Sequence, residues 1–256
     1  MESKNIIPIF YEHSSLKSIL VPWNPSETTE GGPVSIFTLA QEAKLNHVHI
    51  VSNHFYNFVE MQKTGDKLGI PIRFGIEMWV TDNIENSEQS TANESKVIIW
   101  MKNPAAYKDL IKLYSAVYTN PAHKYYHYRG SWGILKKYWT ENLSLTLPFF
   151  DSFIHRNLLN YNSSIIPDLP CNPIIQREID SDIPFAGLIN FALDEYNKNG
   201  EYEEIKTKTI MYNTYEDVKP YIVYRAIGTR GNYGAPNLDY MCSNKFCFEN
   251  WKEIVK

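Results

Sequence analysis

Three residues with metal-binding side chains stand at the ends of separate apolar runs. His13 follows a first predicted strand, His54 follows a second, and Glu77 lies at the end of a third. Imidazole and carboxylate groups on neighbouring strand ends are a normal way to hold Zn²⁺, Mn²⁺ or Fe²⁺. The same residues could instead be structural, each satisfied by hydrogen bonds. The residues by themselves leave both interpretations open.

The stretch 34–80 predicts the elements that would position these side chains. Its apolar spacing indicates a helix over 33–46, a strand over 47–53, a helix over 54–69 and a strand over 70–80. Gly69 and Pro71 mark the end of the second helix. Because parallel strands are joined by a crossover, this order predicts parallel pairing, with chemistry at the carboxyl ends of the strands.

The rest of the chain continues the alternation of strands and helices. Apolar patterns predict further strands at 6–10, 96–101, 143–147, 174–179 and 205–212, and helices at 105–118, 153–159, 186–197 and 216–227. The polar stretch 81–95 is expected to be a surface excursion. We expect one domain over residues 1–256, of the α/β class, with an irregular tail from about 228 to 256 that ends in a turn of helix.

Composition and missing motifs exclude several classes of function. The net charge of −4 argues against binding to nucleic acid by bulk electrostatics. Three cysteines without a C-x-x-C pair fit a reducing compartment, so we expect a cytoplasmic protein. The first residues do not have the pattern of a secretion signal, and no apolar run is long enough for a membrane helix. Phosphate-cradling loops, dinucleotide fingerprints and nucleophile elbows are absent from the sequence.

Six segments in series resemble the polymerase and histidinol phosphatase (PHP) domain that opens the bacterial DNA polymerase III alpha subunit. They are EHSSLKS, AQEAKLNHVHIVSNHFYNFVEMQKTGDKLGIPIRFGIEMWV, KVIIWMKNPAAYKDLIKLYSAVYTN, YYHYRGSWGILKKY, TYEDVKPYIVYRAI and NLDYMCSNKFCFENWKEI. Each piece alone is a weak signal, but their order covers nearly the whole chain. The resemblance implies the PHP fold, a distorted (β/α)₇ TIM-like barrel.

The resemblance also implies where metal ligands should lie. In active members of that family, side chains at the strand ends hold a cluster of metal ions. Matching positions keep a ligating residue at His13, His54 and Glu77. Other residue types stand at the remaining matched positions, namely Tyr11, Leu20, Lys96, Phe149, Thr209 and Met211. A fixed ammonium and apolar groups are hard to reconcile with a site that must bridge metals and activate water.

We therefore expect a PHP domain with a degenerate metal site, in a DNA polymerase III alpha-like replication protein such as a phage could encode. Its role would be a scaffold or docking module for a replicative polymerase subunit or a proofreading exonuclease. One alternative is a residual metal-dependent phosphoesterase or 3′–5′ exonuclease that uses the three surviving ligands. Another is a DNA-binding accessory module with a Tyr- and Trp-rich surface. We expect no cofactor beyond one weakly bound Zn²⁺ or Mn²⁺, and no membrane partner.

Overall fold

The computed structural model describes residues 5–82, 84, 93–120, 127–159, 166–232, 234–237 and 239–256. The described strands are β1 (Ile7–Tyr11), β2 (Val48–Ser52), β3 (Ile72–Thr81), β4 (Ser95–Met101), β5 (Arg129–Ser131), β6 (Leu143–Leu147), β7 (Ile174–Glu178) and β8 (Glu204–Ile210). The described α-helices are α1 (Ile36–Glu42), α2 (Phe58–Leu68), α3 (Ala106–Tyr118), α4 (Trp132–Tyr138), α5 (Phe153–Leu159), α6 (Ala186–Tyr196), α7 (Val218–Thr229) and α8 (Phe248–Val255). Most of the predicted elements are present.

Several predicted helix boundaries are wrong by two residues or more. Helix α1 ends at Glu42, because Lys44 has a φ of 53° and a left-handed residue cannot continue a helix. Helix α2 starts at Phe58, four residues later than predicted. Helix α7 starts at Val218, after a 3₁₀ turn whose capping box joins Thr214 and Asp217. The predicted excursion over 81–95 falls largely on residues 83 and 85–92, which lie outside the described residues.

The contacts of the chain divide it into two compact units. The first comprises Met1–Phe74, Glu178–Ala186 and Lys206–Lys256, and the second comprises Gly75–Arg177 and Gly187–Ile205. The single domain expected from the sequence stays a prediction. None of the described helices is both long and apolar enough to span a membrane.

Strand β1 is the centre of the first unit. It runs parallel to β2, where Ile9 faces His49, and parallel to β8, where Ile9 faces Thr209. Its residues after Ile7 are buried, and the indole Nε1–H of Trp251 on α8 donates to the carbonyl oxygen of Ile6 at 3.0 Å. That bond ties the last helix to the first strand, so the predicted irregular tail ends in an ordered element.

Strand β4 is the centre of the second unit. It pairs antiparallel with β3 and with β6, whereas β5 pairs with β3 and β7 with β6 in parallel. Gly75 on β3 allows this packing, because a Cβ there would lie 2.7 Å from the ring of Trp100. The apolar run 96–101 predicts a strand but could not indicate its direction, since pairing partners are chosen by the tertiary structure.

Candidate functional site

The buried carboxylate of Glu12 is the centre of a hydrogen-bonded cluster in the first unit. It follows β1 directly and is fully shielded from solvent. The carboxylate accepts bonds from the Ser14 backbone N–H at 2.8 Å, the Ser52 hydroxyl at 2.7 Å and the Asn57 amide at 3.1 Å. The Ser14 hydroxyl donates to it as well, at 2.6 Å. These donors compensate a charged group for its loss of water.

His54 belongs to the same cluster, and both of its ring nitrogens are engaged. Its Nε2 lies 3.0 Å from the carbonyl oxygen of Ser14. Because a carbonyl can only accept, Nε2 carries the proton, which leaves Nδ1 to accept from the backbone N–H of Tyr56 at 3.3 Å. A metal needs a nitrogen lone pair, and here the lone pair of Nδ1 is already used. Residues 54–57 are free to make these bonds because α2 starts only at Phe58, later than predicted, so that they lie outside the helix.

His13 has a different environment from His54. Its Nδ1 has no hydrogen-bond partner among the described residues and lies 3.6 Å from a carboxylate oxygen of Glu12. The ring packs edge-on against Trp23 with centroids 5.0 Å apart. Burial is the main cause that lowers the pKa of His13. The nearby His54 lowers it further, whereas the carboxylate of Glu12 acts in the opposite direction. Of the two histidines, His13 is therefore the one with a nitrogen left to bind a ligand.

The other matched positions in the first unit offer poor metal ligands. Tyr11, Leu20 and Met211 are buried, and neither Leu20 nor Met211 has a side-chain oxygen or nitrogen. The hydroxyl of Thr209 donates to a carboxylate oxygen of Glu178 at 2.7 Å, and its backbone N–H donates to the same carboxylate at 2.9 Å. These side chains do not fit the cluster of metal ions that the resemblance implies.

A buried ion pair that the sequence analysis missed lies next to Thr209. The ammonium of Lys208 is fully buried, donates to the carbonyl oxygens of Ile179 at 2.8 Å and Asp180 at 2.7 Å, and lies 3.5 Å from Glu178. Desolvation raises the pKa of Glu178 and lowers that of Lys208. Lys208 and Glu178 both lie inside predicted strands, and charged residues at strand positions that turn out to be buried were the signal that could have indicated this pair.

In the second unit, Lys96 has a carboxylate partner that the sequence analysis did not identify. Its ammonium lies 2.5 Å from an oxygen of Asp151 and 4.6 Å from the ring centroid of Trp79, the residue facing it on β3. The backbone N–H of Asp151 in turn donates to Nδ1 of His155 at 3.0 Å. Lys96 thus supplies a fixed positive charge at a position where the resemblance expects a metal ligand.

Glu77 and Phe149 are buried in the second unit as well. Glu77 lies within β3, where it faces Ile98 across the β3–β4 ladder, so its predicted position at the strand end is wrong. Burial, with smaller contributions from Tyr114 and Glu77, raises the pKa of Tyr118 above its usual range.

The structure brings His13 and His54 together around Glu12, whereas Glu77 belongs to the second unit. Convergence of all three side chains stays a prediction. Throughout the part of the chain that the structure describes, no group of three or more His, Cys, Asp or Glu side chains is arranged to hold a metal ion. The geometry of each unit favours hydrogen bonding and ion pairing over metal binding at the matched positions.

Comparison with known protein families matches residues 28–209 to the PHP domain. This match covers well over half of the sequence and confirms the α/β fold class predicted from the six segments. No curated protein matches the chain in sequence. From the extent of the family match, the chain belongs to the PHP domain family.

Proposed function

We propose that this chain is a PHP domain of the DNA polymerase III alpha type that has lost its metal centre. It acts in the cytoplasm as a non-catalytic scaffold or docking module for a replicative polymerase subunit or a proofreading exonuclease. The polymerase relationship is supported by the order of the six segments that resemble the alpha subunit. The loss of catalysis is supported by the side chains at the matched ligand positions.

One observation carries this proposal: most matched positions hold side chains that are apolar or already bonded to another group. Leu20 and Met211 are buried apolar groups, and the hydroxyl of Thr209 is committed to Glu178. Lys96 supplies a cation of its own, held by Asp151. Phosphoester hydrolysis in a multi-metal site needs metals that bridge the substrate and activate water. The side chains at these positions stabilise the interior of the protein and are poorly suited to hold the metals that phosphoester hydrolysis needs.

The test combines metal analysis with activity assays on the full chain. We expect purified protein, incubated with Mn²⁺ or Zn²⁺ and then dialysed, to retain far less than one metal ion per chain. Phosphatase and 3′–5′ exonuclease rates should stay at background and should be equal for the wild type, His54→Ala and the matched control His47→Ala. Two or more bound metals, with activity lost in His54→Ala and kept in His47→Ala, would overturn the proposal.

A residual phosphoesterase is the second candidate, and the environment of His13 favours it. The Nδ1 atom of that residue is buried and has no hydrogen-bond partner among the described residues, although it lies 3.6 Å from Glu12 and the side chain as a whole is one-quarter exposed. A single Zn²⁺ or Mn²⁺ held there could act as a Lewis acid. This candidate predicts metal-dependent hydrolysis that His13→Ala abolishes and His47→Ala leaves unchanged. Equal rates in the two variants would eliminate it.

A further inference from the structure

An open groove of about 660 Å³ runs along one side of α7 in the first unit. The helix forms one wall, and residues 19–20 and 31–34 form the other. The second wall is held in place by backbone bonds from Val21 N–H to the carbonyl of Val34 at 3.0 Å and from Ile36 N–H to the carbonyl of Val21 at 2.9 Å. The groove is therefore a formed feature of the unit, because hydrogen bonds join the two segments of its second wall.

The wall contributed by α7 has the pattern of a helix-binding surface. Pro220, Val223, Tyr224 and Ile227 line the groove at positions i, i+3, i+4 and i+7. Val223 is 46% exposed and Ile227 is 66% exposed, and Tyr221 is the one residue of this fully described helix that is buried. An apolar stripe of this kind normally faces another element, and here it faces the groove.

The base of the groove connects it to the candidate site. Leu20, which stands where the resemblance expects a metal ligand, lines the groove and is buried. The Tyr224 hydroxyl donates to the carbonyl oxygen of His13 at 2.8 Å, which fixes its ring in the wall. An Asp at position 20 would have made this surface polar. The leucine extends the apolar lining instead.

Charge at the rim indicates which kind of partner would fit. Lys219 lines the groove and is exposed. The nearby carboxylate of Asp217 is committed to the backbone N–H and hydroxyl of Thr214, at 2.9 and 3.0 Å. Arg225 is paired with Asp239 at 3.1 Å. Lys219 itself has no ion pair within the described part of the chain, so its ammonium is available to attract an acidic side chain.

We propose that the groove binds an amphipathic helix of a partner protein that carries an apolar stripe and an acidic residue opposite Lys219. The stripe on α7 extends over about 10 Å, or two turns, which matches the spacing of anchors in helix-in-groove recognition. A helix also accounts for the exposed Val223 and Ile227, because these side chains stand far enough out to contact a second surface. This inference rests on the docking role proposed above and names the partner's chemistry.

The experiment uses the full chain and a fluorescein-labelled helical peptide of about 18 residues, with Leu at i, i+3, i+4 and i+7 and flanking Glu. Fluorescence anisotropy should show saturable binding that Ile227→Asp weakens at least tenfold. Lys219→Glu should weaken the binding of this peptide and should strengthen the binding of a second peptide whose flanking residues are Lys. Phe191→Asp, a change at a 63% exposed apolar residue of α6 in the second unit, is the matched control and should leave affinity unchanged.

Three results of the binding experiment would overturn the proposal. The first is that the Glu peptide does not bind. The second is that Ile227→Asp and Phe191→Asp weaken its binding equally. The third is that a scrambled peptide of the same composition binds as tightly as the Glu peptide. A wild-type dimer that Ile227→Asp converts to a monomer in light scattering would also overturn it, because a second copy would then occupy the groove. The metal and hydrolysis assays are independent of these measurements. A hydrolytically active chain that still binds the peptide would refute only the non-catalytic role.

Discussion

Replacing Lys208 by Met would leave the buried carboxylate of Glu178 without its cation. The two charges lie 3.5 Å apart and are almost completely shielded from water. Removing one partner of such a pair costs about 3–5 kcal/mol, because the remaining charge stays buried and uncompensated. The carbonyl oxygens of Ile179 and Asp180 would also lose a donor. We expect Lys208→Met to lower the free energy of unfolding by about 4 kcal/mol, a large part of the 5–15 kcal/mol that is typical of a domain.

The double variant Glu178→Gln with Lys208→Met separates the charge from the packing. A glutamine keeps an acceptor for Thr209 but carries no charge, so the part of the loss that comes from the unpaired charge should return. About 1–3 kcal/mol should remain missing, from the two carbonyls. Urea unfolding followed by tryptophan fluorescence gives the free energies by linear extrapolation. A loss below about 1 kcal/mol in the single variant, or no recovery in the double variant, would refute the reasoning.

The pH dependence gives an independent check on the same pair. Desolvation raises the pKa of Glu178, so the folded state binds its proton more tightly than the unfolded state does. In Lys208→Met the penalty should be largest above the folded pKa and should disappear below the unfolded value of about 4.3. The single variant should therefore approach the double variant in stability as the pH falls. A constant difference between them from pH 7 to pH 4 would contradict a buried charge.

Two further predictions concern carboxylates of the first unit. The hydrogen bond from Asn250, with help from Lys245, lowers the pKa of Asp180, so its contribution to stability is present above its unfolded pKa of about 4 and is lost as the pH falls through the folded value. The difference in free energy of unfolding between the wild type and Asp180→Asn should shrink below pH 4. Asp66→Asn, at an exposed position of α2, is the control. A difference that grows as the pH falls would refute the lowered pKa of Asp180. Glu12→Gln should cost about 2–3 kcal/mol in urea unfolding, because one amide hydrogen-bond donor would face the donors that now satisfy the carboxylate. A cost near zero would mean that the cluster does not stabilise the unit.

Local sequence patterns were sufficient to predict most of the helices and strands. The alternation of apolar residues predicted β2, β4 and α3 closely, since side-chain periodicity depends on neighbours a few residues away. Boundaries failed where a single backbone conformation decided them, as at Lys44. The late start of α2 is the failure that matters for function, because His54 and Asn57, which lie before the helix, belong to the cluster around Glu12.

The residue types at the matched positions could also be determined from the sequence, because they depend only on the order of residues. The side chains that these residues bond to could not be predicted. Asp151 and Glu178 lie far along the chain from Lys96 and from Lys208 and Thr209, and no pattern of spacing relates them. The groove along α7 is a similar case, since its apolar stripe would be an ordinary buried face if another element covered it. Burial and pairing between distant residues are decided when the chain folds, because they depend on which surfaces meet in space and not on neighbours in sequence.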